Sequence, residues 1–186
     1  MRSFLGIGIS ENLKGKCTKI QEEIKKTGAN VKLVERNNLH WTVKFLGEIS
    51  NEETDILKEI MKKTVKNIKP IKVTANGLGT FPNLNYMKTI WVGVSQNEDK
   101  FIEILEKVNK KLEKNGFKKD KHEIKPHITL ARVKTGKNKE ELKKILHKMK
   151  HVNVGEMKIN KIHLYESVLK PSGPTYNKIK SFHLGE

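Results

Sequence analysis

The chain contains little that could cross-link it or tie it to a bilayer. Cys17 is its one cysteine, so no internal disulfide can form. Its helical spacing with Leu13, Ile20 and Ile24 predicts a buried helix face. A single cysteine points to a reduced, cytoplasmic location, and no apolar run approaches the ~18 residues that a membrane-spanning helix requires, so no membrane partner is expected. The N-terminal "MRSFLGIGIS" lacks a small-residue cleavage pattern and is expected to be a first strand, not a signal peptide. Carboxylates are scarce, 21 against 38 Lys and Arg, which leaves a net charge of +17. Such a surface collects polyanions such as nucleic acid, although a composition rich in Lys and Glu is also the signature of hyperthermophile proteins. Arginine is nearly missing as well. Arg2, Arg36 and Arg132 are the only ones, which makes each worth locating.

What is present is an alternation of strand and helix patterns in 186 residues. Strands are predicted at 3–10, 39–47, 71–79, 88–95, 127–133 and 157–167, with a last one at 176–184 after a loop containing Pro171, Gly173 and Pro174. Helices are predicted at 12–27, at 99–115 and at 138–149. Ser50 and Glu53 read as a capping box opening a further helix with Ile56, Leu57 and Ile60 inward. The order strand, helix, strand, helix, strand occurs twice. An offset of 87 carries His40 onto His127, Thr42 onto Thr129 and Leu78 onto Tyr165. One domain with an internal repeat of about 2–79 and 88–167 is therefore expected, with residues 80–86 as the crossover between halves.

The aligned positions carry His-x-Thr in "NLHWTVKFLG" and in "KPHITLARVK". Seven His and eleven Thr would place about 0.4 such pairs in this chain by chance, so one copy means little, whereas two at matching positions mean more. Strand alternation puts His40, Thr42 and Lys44 on one face and Trp41, Val43 and Phe45 on the core face. In the second copy His127, Thr129 and Ala131 share a face. No Asp, Glu or Cys completes a zinc set at either motif, and no nucleophile with an orienting acid is visible. Two histidines suit paired acid–base catalysis, one taking a proton from the attacking group and the other giving one to the leaving oxygen. Threonine hydroxyls can donate to non-bridging oxygens as charge builds there. Phosphodiester transfer or hydrolysis fits that combination.

These residues resemble the 2H phosphoesterases, in particular the bacterial and archaeal 2′-5′ RNA ligase proteins, regarded as RNA 2′,3′-cyclic phosphodiesterases. "NLHWTVKFLGEI", "GLGTFP", "IWVGV", "KPHITLARV" and "LYESVLKPSGPTYNKI" carry the resemblance, which spans nearly the whole chain. It implies an α+β, bilobal fold of two pseudo-twofold lobes, with antiparallel sheets lining a cleft and helices outside. It implies His40 as proton donor and His127 as proton acceptor, with Thr42, Thr129 and Arg132 on the phosphate and no metal or cofactor. The product would be a 2′-phosphate, with 2′-5′ ligation as the reverse reaction. The partner would be RNA ends bearing a cyclic phosphate, tRNA-like or other, on a monomeric enzyme. Strict alternation nevertheless puts Arg132 on the face of Ile128 and Leu130, so it reaches the cleft only through a bulge, a twist or a strand end near Ala131.

Phe81, Tyr165 and Tyr176 are candidates for stacking on a base or ribose. Gly6 and Gly8 read as sites of close sheet packing, since no third glycine completes a dinucleotide loop. His122, His147, His151, His163 and His183 lack a Thr two residues on and are expected to be ordinary surface or strand residues. Two other functions remain open at this stage: an enzyme of a small cyclic phosphate, such as a cyclic nucleotide or an ADP-ribose derivative, and an RNA-binding module without activity.

Overall fold

The computed structural model describes all 186 residues. Its helices begin and end where local chemistry satisfies the free backbone groups. Helix α1 (Glu11–Lys26) starts where Ser10 Oγ accepts from the Leu13 amide at 3.3 Å, and Gly28 follows it at φ +71°, a left-handed position that suits glycine. Helix α2 (Asn51–Val65) opens on the expected capping box, in which the Ser50 amide donates to Glu53 at 2.8 Å and the Glu53 amide to Ser50 at 3.1 Å. Helices α3 (Glu98–Lys114) and α4 (Lys139–Lys148) complete the set. Leu13, Cys17, Ile20 and Ile24 lie on the buried face of α1, as their spacing predicts. Burial pushes the Cys17 thiol up to about 12, so it packs as an inert apolar group. In α2 the buried face is Leu57, Met61 and Val65, and the expected inward Ile56 is 52% exposed.

The strands are β1 (Arg2–Gly8), β2 (Val31–Leu33), β3 (His40–Glu48), β4 (Ile71–Pro82), β5 (Met87–Gln96), β6 (Ile128–Val133), β7 (Asn153–Ile159), β8 (Lys161–Lys170) and β9 (Gly173–His183). They form one nine-stranded sheet in the order β7-β4-β5-β6-β3-β1-β8-β9, with β2 paired to β6, and every pairing is antiparallel. Two four-stranded halves meet at β3 and β6, joined there by the single pair Trp41 and Ile128. Helices α1 and α3 pack behind β6 and β3, over a continuous core that contains Trp41, Ile128, Leu5, Ile90 and Phe101. Burying each such side chain stabilises the fold by roughly 1.5–3 kcal/mol. No helix is long and apolar enough to cross a membrane.

The halves of the sheet are not the halves of the chain. Strand β4 precedes residue 83 but lies beside β5, while β8 lies beside β1. Besides the excursion of β2 to β6 between β1 and β3, the chain crosses over between α2 and β4 and again at Asn160, which divides the expected strand 157–167 into β7 and β8. Residues 80–86 are not a crossover: 80–82 belong to β4, and 83–86 close a hairpin to β5. Likewise Gly173 and Pro174, expected in a loop, begin β9, because β8 and β9 pair to the end of their hairpin through Lys170 and Gly173.

Candidate active site

The seam assembles the two His-x-Thr motifs. Trp41 and Ile128 are fully buried on the helix side, so His40, Thr42, His127 and Thr129 emerge on the opposite face around that one pair. In antiparallel register His40 falls opposite Thr129 and Thr42 opposite His127. The imidazoles thus occupy a cross-strand diagonal, roughly 7–8 Å between such positions in a regular pair. Each ring is held alike. His40 Nδ1 lies 2.6 Å from Asn38 O, and His127 Nδ1 lies 2.5 Å from Lys125 O, in each case the carbonyl two residues back. A carbonyl only accepts, so Nδ1 carries the proton in both rings and Nε2 is left for chemistry. The environments of Nε2 differ. His40 Nε2 sits 2.9 Å from Thr42 Oγ1, whereas neither His127 Nε2 nor Thr129 Oγ1 has a side-chain partner.

Both imidazoles titrate below the usual 6.5. For His40 burial is the main cause, followed by the nearby charges of His127 and Arg132, with the bond to Asn38 acting in opposition. For His127 burial again dominates, with Arg132 and Lys125 adding repulsion against the bond to Lys125 O. The Arg132 charge is thus felt at both rings.

Its position follows from a bulge. Thr129 pairs with Trp91 and Ala131 with Ile90, which leaves Leu130 as an extra residue in β6. Leu130 and Ala131 both face the core, at 0% exposure, and Arg132 turns to the cleft. The first motif carries the same device 87 residues earlier: Thr42 pairs with Gly6 and Lys44 with Leu5, which leaves Val43 extra. The expected faces of Lys44 and Phe45 are consequently exchanged. Lys44 is buried at 1% exposure, where its Nζ donates to Asn109 Oδ1 at 3.1 Å and lies 3.6 Å from Glu113 and 3.8 Å from Asp120. Phe45 is 63% exposed on the cleft side.

Each bulge is held by a buried amide from the helix behind it. Gln21 Nε2, on α1, donates to Leu130 O at 2.9 Å and to Val34 O at 2.8 Å. Asn109 Nδ2, on α3, donates to Val43 O at 2.9 Å. Sequence reasoning missed both amides, which look like surface residues when read alone.

Aromatic rings wall the two histidines. Phe4 lies 4.9 Å from His40, 5.1 Å from Tyr165 in a stacked arrangement and 4.8 Å from Tyr176, and Tyr176 meets His40 edge-on at 5.4 Å. On the other side Phe81 meets His127 edge-on at 5.0 Å, and Trp91 lies 6.0 Å from His127. The three sequence candidates for stacking are thus divided, with Tyr176 against His40, Tyr165 on the same side against Phe4, and Phe81 beside His127. Phe4 and Trp91 were missed. The available signal was glycine on the same face: a methyl group on Gly6 would come 3.0 Å from the Phe4 ring, and one on Gly79 would come 2.3 Å from Trp91. The ladders also alter one expected match. Tyr165 pairs with Phe4 while Phe81 pairs with Thr89, and Leu5 with Ile90 requires an offset of 85 along β1 and β5. Phe81, not Leu78, stands where Tyr165 does. Of the other histidines, His163 is buried, with Nδ1 2.8 Å from Ser181 Oγ, and the remaining four are exposed.

This chain is 46% identical over 182 residues to the RNA 2′,3′-cyclic phosphodiesterase of Methanocaldococcus jannaschii, covering 98% of this chain and 100% of that one. It is 31% identical to the protein of the same name from Methanothermobacter thermautotrophicus, covering 99% of each. Among solved structures it resembles TT0787 of Thermus thermophilus, with a TM-score of 0.83 and 24% identity over 100% of this chain and 98% of that one. Escherichia coli LigT complexed with 3′-AMP gives a TM-score of 0.78 at 20% identity, over 100% and 98% respectively. Residues 4–184 match the family described as the AKAP7 2′5′ RNA ligase-like domain, and the chain belongs to that family.

Proposed function

We propose that the protein hydrolyses RNA 2′,3′-cyclic phosphate ends to 2′-phosphomonoesters, with His127 as base and His40 as acid. The observation that carries this reading is the diagonal pair of imidazoles, each with Nδ1 fixed on a carbonyl and Nε2 turned to a shared face. The names of relatives at up to 46% identity over the full length support the substrate class. His127 Nε2 takes a proton from water as the water oxygen bonds to phosphorus. The bond from phosphorus to the 3′ oxygen breaks, and that oxygen receives the proton from His40 Nε2. Thr42, Thr129 and Arg132 neutralise the non-bridging oxygens, with the Arg132 guanidinium suited to paired contacts.

The contact between His40 and Thr42 couples protonation to binding. With neutral His40 the Thr42 hydroxyl donates to Nε2. Once Nε2 carries a proton the donation reverses, and the hydroxyl proton becomes available to a phosphate oxygen. The reacting centre thereby gains a donor when the acid is charged. The bulges at Val43 and Leu130, 87 residues apart, support reading the two motifs as copies within an internal repeat.

The test is end-group analysis after reaction with a short RNA ending in 2′,3′-cyclic phosphate. A 2′-phosphate product is expected, lost in His40→Ala and His127→Ala. A 3′-phosphate product, or turnover retained in both variants, would refute the assignment.

A further inference from the structure

A second concavity begins at Arg132, three residues along the strand from Thr129. A groove of about 520 Å³ runs between the turn 83–86 and the loop after β6, and Arg132 lines it. Its cations are Lys88, Arg132, Lys134, Lys137 and Lys139, with no Asp or Glu among its lining residues. None of those five forms an ion pair within the protein. A basic composition alone does not produce this. The cavity between α2 and α3, about 680 Å³, sets Asp55 and Glu59 among its lysines. The matching loop at the other end of the seam also differs. Residues 46–52, "LGEISNE", hold Glu48 and Glu52 and no cation, where residues 133–139, "VKTGKNK", hold three lysines and no carboxylate.

The walls of the groove are built. Lys139 donates to the Asn85 carbonyl, and Lys143 Nζ lies 3.4 Å from Asn85 Oδ1, which fixes the 83–86 turn against α4. Tyr86 is 62% exposed at the rim, with Lys88 Nζ 5.3 Å from its ring centroid. An exposed aromatic ring beside cations free of ion pairs suits a single strand, of which a base can stack while its phosphates meet the lysines.

We propose that this groove binds the phosphates on the 5′ side of the terminal nucleoside, so that the enzyme prefers an oligonucleotide end to a free cyclic mononucleotide. The proposal rests on the phosphodiesterase reading, since an RNA end held at the histidines can extend only in the 5′ direction. Strand β6 advances about 3.3 Å per residue, which puts Lys134 roughly 20 Å along it from His127, within reach of the next few phosphates.

The experiment compares kcat/KM for a nucleoside 2′,3′-cyclic phosphate and for single-stranded RNAs of increasing length with the same end, in the parent and in a Lys134→Ala/Lys137→Ala variant. Both lysines are exposed and outside the reacting centre. The parent is expected to gain at least about tenfold with length, and the variant to lose that gain while keeping the mononucleotide rate. Binding of an RNA ending in 2′-phosphate provides a second readout without turnover. The slope of log affinity against log salt should shrink by about 0.7 for each phosphate contact removed. A parent that turns over the mononucleotide with no gain from length, or a variant with unchanged slope, overturns the groove. A parent that binds RNA through these lysines and hydrolyses nothing overturns the catalytic reading and leaves the groove standing.

Discussion

The two half-sites share a backbone plan and differ in surroundings. Each has a carbonyl behind the ring, a threonine two residues on, a bulge, and an amide from a helix. The His40 side is enclosed by Phe4, Tyr165 and Tyr176 and already bonded to its threonine. The His127 side carries Arg132 on the same strand, and Arg132 also lines the basic groove. Where the bulge of β3 delivers Phe45 to the cleft, that of β6 delivers Arg132. An identical frame has been filled with apolar surface on one side and charge on the other. The difference suits the two tasks proposed for them, protonating a leaving oxygen and receiving a hydrated anion.

The largest test of that division is removal of each imidazole. His40→Ala and His127→Ala should each lower kcat on an RNA cyclic phosphate by about 10²–10⁴. An aryl phosphodiester, whose leaving group needs no proton, should restore much of the rate to His40→Ala and little to His127→Ala. Equal losses on both substrates would mean that the halves are not divided into acid and base.

Next come the threonines. Thr42→Ala and Thr129→Ala should each cost about ten- to a thousandfold in rate, by analogy with loss of one oxyanion donor. Only Thr42→Ala should also move the pH dependence, because only Thr42 touches Nε2 of its histidine. Parental rates in the double variant would remove both from the reaction.

A smaller effect is expected from the amides behind the bulges. Gln21→Met should lower kcat/KM about tenfold by loosening the strand that aims Arg132, and the effect should vanish in an Arg132→Ala background. Asn109→Leu acts on the bulge that delivers Phe45 in place of an arginine and should cost mainly stability, about 1–3 kcal/mol for a buried group left without its partner. Additive losses in the Gln21, Arg132 double variant would show that Gln21 does not act through Arg132.

The pH effects are the smallest and follow from burial. Both His40 and His127 titrate below 6.5, so if they act as proposed the bell of kcat/KM should lie on the acid side of that value, read from initial rates across pH. The sign for folding is fixed in the same way. A histidine depressed in the folded state binds its proton less readily than in the unfolded chain. Its contribution is therefore complete above about 6.5 and lost as pH falls. Burial and the charges of Lys178, Lys161 and His183 bring His163 to about 4, so denaturation midpoints should fall between those two values, less so in His163→Gln.

Much of this was legible in the residues. The cap at Ser50, the helix face of Cys17 and the inward Trp41 follow from spacing alone, because hydrogen bonds and burial at those points involve neighbours in the chain. The two His-x-Thr motifs were visible for the same reason. The side of the sheet taken by Lys44, Phe45 and Arg132 was not. Alternation holds until a residue is inserted, and each insertion is held by a side chain 109 or 66 positions away. The exchange of β4 and β8 between the halves was hidden likewise, since a strand of given pattern suits either edge.

The sequence by itself determined which residues belong together on a strand or helix face and which chemistry they could support. Tertiary structure alone decided which strands became neighbours, and so which rings, charges and hydroxyls surround one another. Local periodicity is fixed by the geometry of three or four adjacent residues. Strand order and bulges are fixed by partners distant in the chain, and only the folded packing brings those together.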